Sequence, residues 1–225
     1  MLYDTDYNWR IDEKIGGKSR AIADIGSHWC DLSQYITGLK IKEVFANLKT
    51  VHPIRKKPNG AVETFSNNTE KAMNYDEIKI NTEDCGTVLL RFEDGTIGNF
   101  IVSQVSAGHK NDLFIEVSGT SNSYSWHQEN ANELNIGHRD KANEVLVKDP
   151  SLLDKESSKY AYYPGGHVEG WSEGVKNMFR NFYTCVLESG NPSDYSFATF
   201  EDGVAEMKII EAILESSKQE KWIKL

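Results

Sequence analysis

The run Cys85–Trp126 constrains this chain more than any other stretch. Thr87-Val-Leu-Leu-Arg-Phe92 and Thr96-Ile-Gly-Asn-Phe-Ile-Val-Ser103 are rich in β-branched and aromatic residues, and Glu93-Asp94-Gly95 stands between them. Asp-Gly between two such runs predicts a β-hairpin. Asp112–Val117 and, past the Gly119-Thr120-Ser121 turn, Ser123–His127 continue the pattern, with shorter strands predicted at Glu133–Ile136 and Glu144–Val147. Consecutive antiparallel strands form a meander, and one face of such a sheet needs a cover. Helical spacing supplies it. Ile22, Ile25, Trp29, Leu32 and Ile36 recur every three or four residues and end at Gly38, the mark of an amphipathic helix with a glycine stop. Trp171–Leu187 and Phe197–Ser217 show the same period on either side of Pro192. Ile41–Val51 and Lys221–Leu225 predict further strands, whereas 52–84 opens on His-Pro-Ile-Arg-Lys-Lys-Pro-Asn-Gly and predicts a long polar loop. A helix, many strands and two helices make an α+β fold: an open, largely antiparallel sheet with helices packed on one face.

Charge narrows the partners. The 225 residues carry 25 basic and 34 acidic side chains, a net charge of −9. That balance lacks the basic footprint of a nucleic-acid binder and is repelled by anionic membranes. Cys30, Cys85 and Cys185 are widely spaced, with no CxxC pair, so a reducing, cytoplasmic setting is expected. No apolar run reaches membrane-spanning length and no signal peptide is visible. His28, His52, His109, His127, His138 and His167 form no metal-binding spacing. Neither Gly16-Gly17 nor Gly165-Gly166 belongs to a GxGxxG loop, so no dinucleotide fingerprint is present.

Two stretches carry polar groups suited to chemistry. In Ala21-Ile-Ala-Asp-Ile-Gly-Ser-His-Trp-Cys-Asp31, Asp24 and His28 are four apart. On a regular helix they stack on one face, and a carboxylate beside an imidazole suits a proton-transferring histidine. The same spacing also serves a plain surface pair worth about 0.2–0.5 kcal/mol. Gly26 between them costs about 1 kcal/mol relative to alanine, a cost explained by close approach of another group to the backbone. The second stretch, Tyr162-Tyr-Pro-Gly-Gly-His-Val-Glu-Gly-Trp171, gathers aromatics, His167 and Glu169 on a loop feeding a helix. Such loops serve as binding devices or simply as helix entries.

Together these stretches resemble the C-terminal half of the Gfo/Idh/MocA (glucose–fructose oxidoreductase, inositol dehydrogenase, rhizopine catabolism) family of NAD(P)-dependent oxidoreductases. The resembling residues are Gly16-Gly17, Ala23-Asp-Ile-Gly-Ser-His28, Asp31-Leu32, Gly38, Glu116-Val-Ser-Gly-Thr120, Tyr163-Pro-Gly-Gly-His-Val-Glu-Gly-Trp171, Asn177 and Arg180-Asn-Phe-Tyr183. The resemblance implies a C-terminal α+β domain over 1–225 that binds substrate, carries catalytic groups and forms a homo-oligomer through the sheet face. NAD or NADP would be bound mainly by a Rossmann domain that is missing from these residues, so the chain is expected to be one domain of a longer protein or else the product of a truncated gene, and inactive alone. The substrate class implied is a sugar, polyol or inositol-like molecule oxidised at a CH–OH group. His28 maps onto the family's catalytic histidine and Asp24 onto its partner. Arg10, Trp9, Tyr163 and His167 are candidate substrate-binding residues. The rival readings are a non-catalytic ligand-binding or dimerisation module that retains the fold, and a hydrolase built on Asp24 and His28, for which no nucleophile or metal partner is found.

Overall fold

The computed structural model describes residues 3–59 and 74–225. The chain divides into two units, one comprising residues up to Gly108 together with Asp202–Leu225, the other His109–Glu201.

In the first unit, short helical turns at Trp9–Ile11 and Glu13–Gly16 (α1) lead into a π-helical turn, Ile22–Gly26, and an α-helix, Ser27–Thr37 (α2). Gly38 closes α2 in the left-handed conformation at φ 71°, where the spacing places it. Strands Ile41–Lys49 (β1), Cys85–Phe92 (β4), Ile97–Ser103 (β5) and Ile223–Lys224 (β10) form an antiparallel sheet in the order β10-β1-β4-β5. β4 and β5 are the hairpin predicted around Asp94-Gly95. In β4, Gly86, Val88, Leu90 and Phe92 are buried while Thr87, Leu89 and Arg91 are exposed, the alternation of a sheet covered on one face.

That cover is α2 with the last helix, Phe200–Gln219 (α4). Ile22 and Cys30 pack with Ile209, Ile210 and Ile213 over Val44, Val88, Leu90 and Phe100 in one apolar core. Trp29 stacks on Phe100 with ring centres 5.0 Å apart. β10 pairs with β1 only at Glu43 and Val44. Farther along this edge, the Ser216 and Ser217 hydroxyls of α4 accept from Ala46 N–H at 2.9 Å and Leu48 N–H at 3.1 Å, so edge amides left without a strand find partners.

The region 52–84 departs from the sequence expectation. Instead of a continuous loop, Ile54–Pro58 (β2) pairs with Tyr75–Lys79 (β3) from Ile54↔Lys79 to Pro58↔Tyr75. The ribbon is mostly exposed and its buried positions are Arg55 and Pro58, so no apolar alternation marks it in the sequence. The central part of the predicted loop, residues 60–73, lies outside the described residues.

The second unit holds its own antiparallel meander: Phe114–Ser118 (β6), Asn122–His127 (β7), Glu133–His138 (β8) and Glu144–Val147 (β9). The strands predicted from Cys85 to Val147 therefore form, but they divide between two sheets. Trp171–Glu188 (α3) follows. Among the described residues no helix is long and apolar enough to cross a membrane.

α2 and α4 are joined through Gln34. Its amide nitrogen donates to Glu206 Oε1 at 2.9 Å, and its amide oxygen accepts from Ile41 N–H at 3.0 Å. Burial and the Asp31 charge push the Glu206 carboxyl up to about 7, with Asp202 adding to the rise while Gln34 and Lys40 oppose it. The folded state thus keeps a proton that the unfolded chain releases near the ordinary value of 4.5. Stability falls as pH rises from that value to about 7, and the loss is complete above it. Glu206→Gln preserves an acceptor for Gln34 and removes the titration. Urea denaturation at several pH values should show the variant gaining about 1–3 kcal/mol over the parent above neutrality and little under acidic conditions. A pH-independent difference would refute this origin.

Candidate active site

The entry to the Asp24–His28 segment is organised by a remote carboxylate. Buried Glu83 Oε1 accepts from Ser19 Oγ at 2.7 Å, from Arg20 N–H at 2.9 Å and from Ile22 N–H at 2.9 Å. Amides at the start of a helix have no partner within it, and their dipoles favour an anion. Ser19 Oγ in turn accepts from Ala23 N–H at 3.1 Å. Beside this cap, the Asp84 carboxylate is clamped by buried Arg20 and Arg55 and accepts from the Val51 and His52 amides at 2.6 and 2.9 Å. Burial pushes the Asp84 carboxyl up, but the His52 amide, Arg55, the Val51 amide and Arg20 outweigh it and hold the group below its ordinary value. Arg55 also donates to the Tyr3 and Asp6 carbonyls at 2.8 and 3.0 Å, fixing the N-terminal segment.

The turn that carries Asp24 is not the regular α-helix that the spacing predicts. Ser27 N–H bonds to Ile22 O, five residues back, so this is a π turn and not an α turn. Such a turn closes a hydrogen-bonded ring one residue larger than the α turn, and Asp24 lies within it while His28 lies just beyond. Among the described residues the two side chains share no hydrogen bond or ion pair. Asp24 Oδ2 instead accepts from Gln104 Nε2 at 2.6 Å, while Asp24 Oδ1 lies 3.9 Å from Arg10 Nε. His28 is exposed on the first turn of α2. Its charge acts on Asp31, whose carboxyl is raised by burial and Asp202 and drawn down by His28 and Lys40.

Arg10 and Trp9 lie in the same unit. The Arg10 guanidinium sits 4.6 Å from the Trp9 ring centre. Its ion pair with Asp24 is exposed to solvent and worth about 0–1 kcal/mol. The Gly16-Gly17 pair makes this arrangement fit. A Cβ on Gly16 would lie 2.7 Å from Arg10 O, and Gly17 has φ 90°, a conformation that side-chain-bearing residues rarely adopt.

Gly26 is different. A Cβ there would meet Phe100 at 3.5 Å and Ile22 at 3.6 Å, ordinary contacts, and its φ is −63°. Nothing in the chain itself forbids alanine. Gly26→Ala should therefore fold and raise stability by about 0.5–1 kcal/mol in thermal denaturation. A stabilised but less active variant would locate the clearance at a bound ligand; a destabilised one would show that the π turn itself requires glycine.

Tyr163 and His167 belong to the second unit and are exposed. Their loop is anchored by buried Glu169, which pairs with Lys148 and accepts from Tyr162 N–H at 2.8 Å. Asn132 holds the Glu169 backbone on both sides, donating to its carbonyl at 2.8 Å and accepting its N–H at 3.0 Å. Burial raises the Glu169 carboxyl, but Lys148 and the Tyr162 and Tyr163 amides prevail and lower it. Among the described residues no group of three His, Cys, Asp or Glu converges as a metal-ligand set. Sequence reasoning missed Gln104, Glu83 and Asp84, which act on partners 29–80 residues away, far beyond any helical or strand spacing.

A family model described as the oxidoreductase family, C-terminal alpha/beta domain, of the Gfo/Idh/MocA type matches residues 3–225. The chain belongs to this family. A curated relative, levoglucosan dehydrogenase of Pseudarthrobacter phenanthrenivorans, is 24% identical, the match covering 96% of this chain and 54% of the relative. Among solved structures, an oxidoreductase domain protein from Kribbella flavida superimposes with TM-score 0.82 at 26% identity, over 100% of this chain and 56% of that one. An inositol dehydrogenase homolog from Azotobacter vinelandii, solved with NAD+, superimposes with TM-score 0.78 at 21% identity, over 96% and 51%. At that identity the likeness concerns the Gfo/Idh/MocA fold. The chain spans about half the length of these relatives.

Proposed function

We propose that this chain is the substrate-binding and catalytic half of a nicotinamide-dependent oxidoreductase acting on a CH–OH group of a sugar, polyol or inositol-like molecule. The observation that carries this reading is the exposed His28 imidazole, which has no hydrogen bond to any described residue, just past a π turn bearing Asp24. π turns are rare and concentrate at functional sites. The names of relatives support the substrate class: levoglucosan dehydrogenase was solved with NADH and levoglucosan.

The donor set fits the reacting end of a nicotinamide cofactor and not its phosphates: an open imidazole, a tethered carboxylate and an Arg10–Trp9 pair, without a glycine-rich phosphate loop. When bound, the nicotinamide, as NAD or NADP, supplies the hydride acceptor for the electron pair of the substrate C–H bond. His28 takes the hydroxyl proton as the carbonyl forms, and returns it in reduction. Such assistance is typically worth about 10²–10⁴-fold in rate. Asp24 supplies negative charge near the imidazole, and Arg10 with Trp9 offers a donor and an apolar wall to a substrate hydroxyl. Tyr163 and His167 are separate candidates for hydroxyl binding within the second unit.

Outside the covered face, Ile97 and Ile101 are 79% and 76% exposed beside Leu89, and apolar exposure of this kind supports self-association through the sheet. Sedimentation should report an oligomer; a monomer at all concentrations would exclude it. Three free cysteines support a reducing, cytoplasmic setting.

The experiment compares the 225-residue chain with the same chain joined to a nicotinamide-binding domain. The short chain should neither bind NAD(P) nor reduce it, and the joined form should reduce it with a sugar or polyol. Turnover by the short chain, or none by the joined form with any polyol, would overturn the proposal.

A further inference from the structure

We propose that Gln104 is the positioning residue for Asp24, setting where the carboxylate stands beside His28. This rests on the catalytic reading above. Among the described residues Asp24 and His28 share no hydrogen bond or ion pair, so the carboxylate is oriented by groups outside its own helix.

Gln104 is built for the task. It directly follows β5, and its backbone N–H donates to Asp84 O at 2.9 Å. Asp84 is the residue locked between Arg20 and Arg55, so the tether starts from a rigid point. The Gln104 amide nitrogen reaches Asp24 Oδ2 at 2.6 Å. Its Oε1 is buried without a hydrogen-bond partner among the described residues, and a buried acceptor left so is destabilising. Turning the amide over would direct Oε1 at an ionised carboxylate, which repels it. The orientation is therefore dictated by Asp24, at the expense of the other end of the amide. Being neutral, the donor holds the carboxylate without cancelling its charge. Arg10, the other group on Asp24, lies farther away and in solvent.

The test uses the joined enzyme with a polyol substrate. Gln104→Leu should lower kcat by about 10–100-fold, the penalty of a misplaced catalytic group, and leave KM for substrate and cofactor within about threefold. Gln104→Glu gives a readout that a merely structural role would not move. Asp24 then faces Arg10 from the N-terminal segment and the introduced carboxyl from the end of β5, with His28 the next titratable group along the helix and Glu83 at its entry. Protonated, the introduced carboxyl donates to Asp24 as the amide did; ionised, it repels. Activity of Gln104→Glu relative to the parent should rise as pH falls toward about 4–5. In the 225-residue chain, Asp24→Asn should shift the Gln104 side-chain amide signals in NMR. A Gln104→Leu kcat within about twofold of the parent, while Asp24→Asn is impaired, would overturn the role of Gln104 and spare the catalytic reading. So would a pH-independent Gln104→Glu ratio, or unmoved amide signals. Unimpaired turnover of Asp24→Asn would overturn that reading and this proposal with it.

Discussion

Asp84→Ala should cost the 225-residue chain about 3–5 kcal/mol of unfolding free energy, the scale for breaking a buried ion cluster by removing one partner. Arg20, Arg55 and Asp84 have side chains that are 0% exposed. Without the carboxylate, two guanidiniums stay buried and lose their paired counter-charge, leaving Glu83 to act on Arg20, and the Val51 and His52 amides lose an acceptor. Arg55 also loses the anchor that aims it at the Tyr3 and Asp6 carbonyls. Asp84→Asn keeps the shape and part of the hydrogen bonding, so its loss should be smaller. Replacing all three residues by apolar ones of similar volume should recover much of the loss, because no charge is then desolvated. Chemical denaturation gives each value, and a loss below about 1 kcal/mol for Asp84→Ala would show the cluster to be dispensable. The pH dependence has a definite sign. The folded carboxyl is held below its ordinary value of 3.8, so its contribution is full above that value and lost as pH falls through the lower folded one. Glu206 acts in the opposite sense, and on the neutral side.

His28→Ala in the joined enzyme should lower kcat by about 10²–10⁴-fold with cofactor affinity unchanged. The imidazole is exposed and makes no hydrogen bond to a described residue, so stability should stay within about 0.5 kcal/mol. This separates the two largest predictions: Asp84 variants should fail by unfolding, and His28→Ala should fail while folded. Steady-state kinetics beside a thermal melt distinguishes them. Near-normal turnover of His28→Ala would remove the histidine from the mechanism and with it the observation on which the proposed function stands.

Much of the fold was legible because its signals are local. The β4–β5 hairpin follows from Asp94-Gly95 between two β-branched runs, and β9 matches its predicted span, Glu144–Val147. α2 follows from the spacing of its apolar residues and its Gly38 stop. The β2–β3 ribbon was not legible, since its buried positions are held by Arg55 and Pro58 and carry no apolar period.

The candidate site was legible as residue types but not as geometry. Asp24, His28, Arg10 and Trp9 stand out by chemistry and fall within one unit. Their relations depended on groups remote in sequence: Glu83 capping the helix entry and Gln104 bonding to the Asp24 carboxylate. Local periodicity and turn chemistry thus determined which elements form, because each is decided by residues a few positions apart. Where Asp24 points was decided only by the tertiary structure, because a carboxylate is oriented by its strongest available donor, and that donor is carried 80 residues away on the end of a strand.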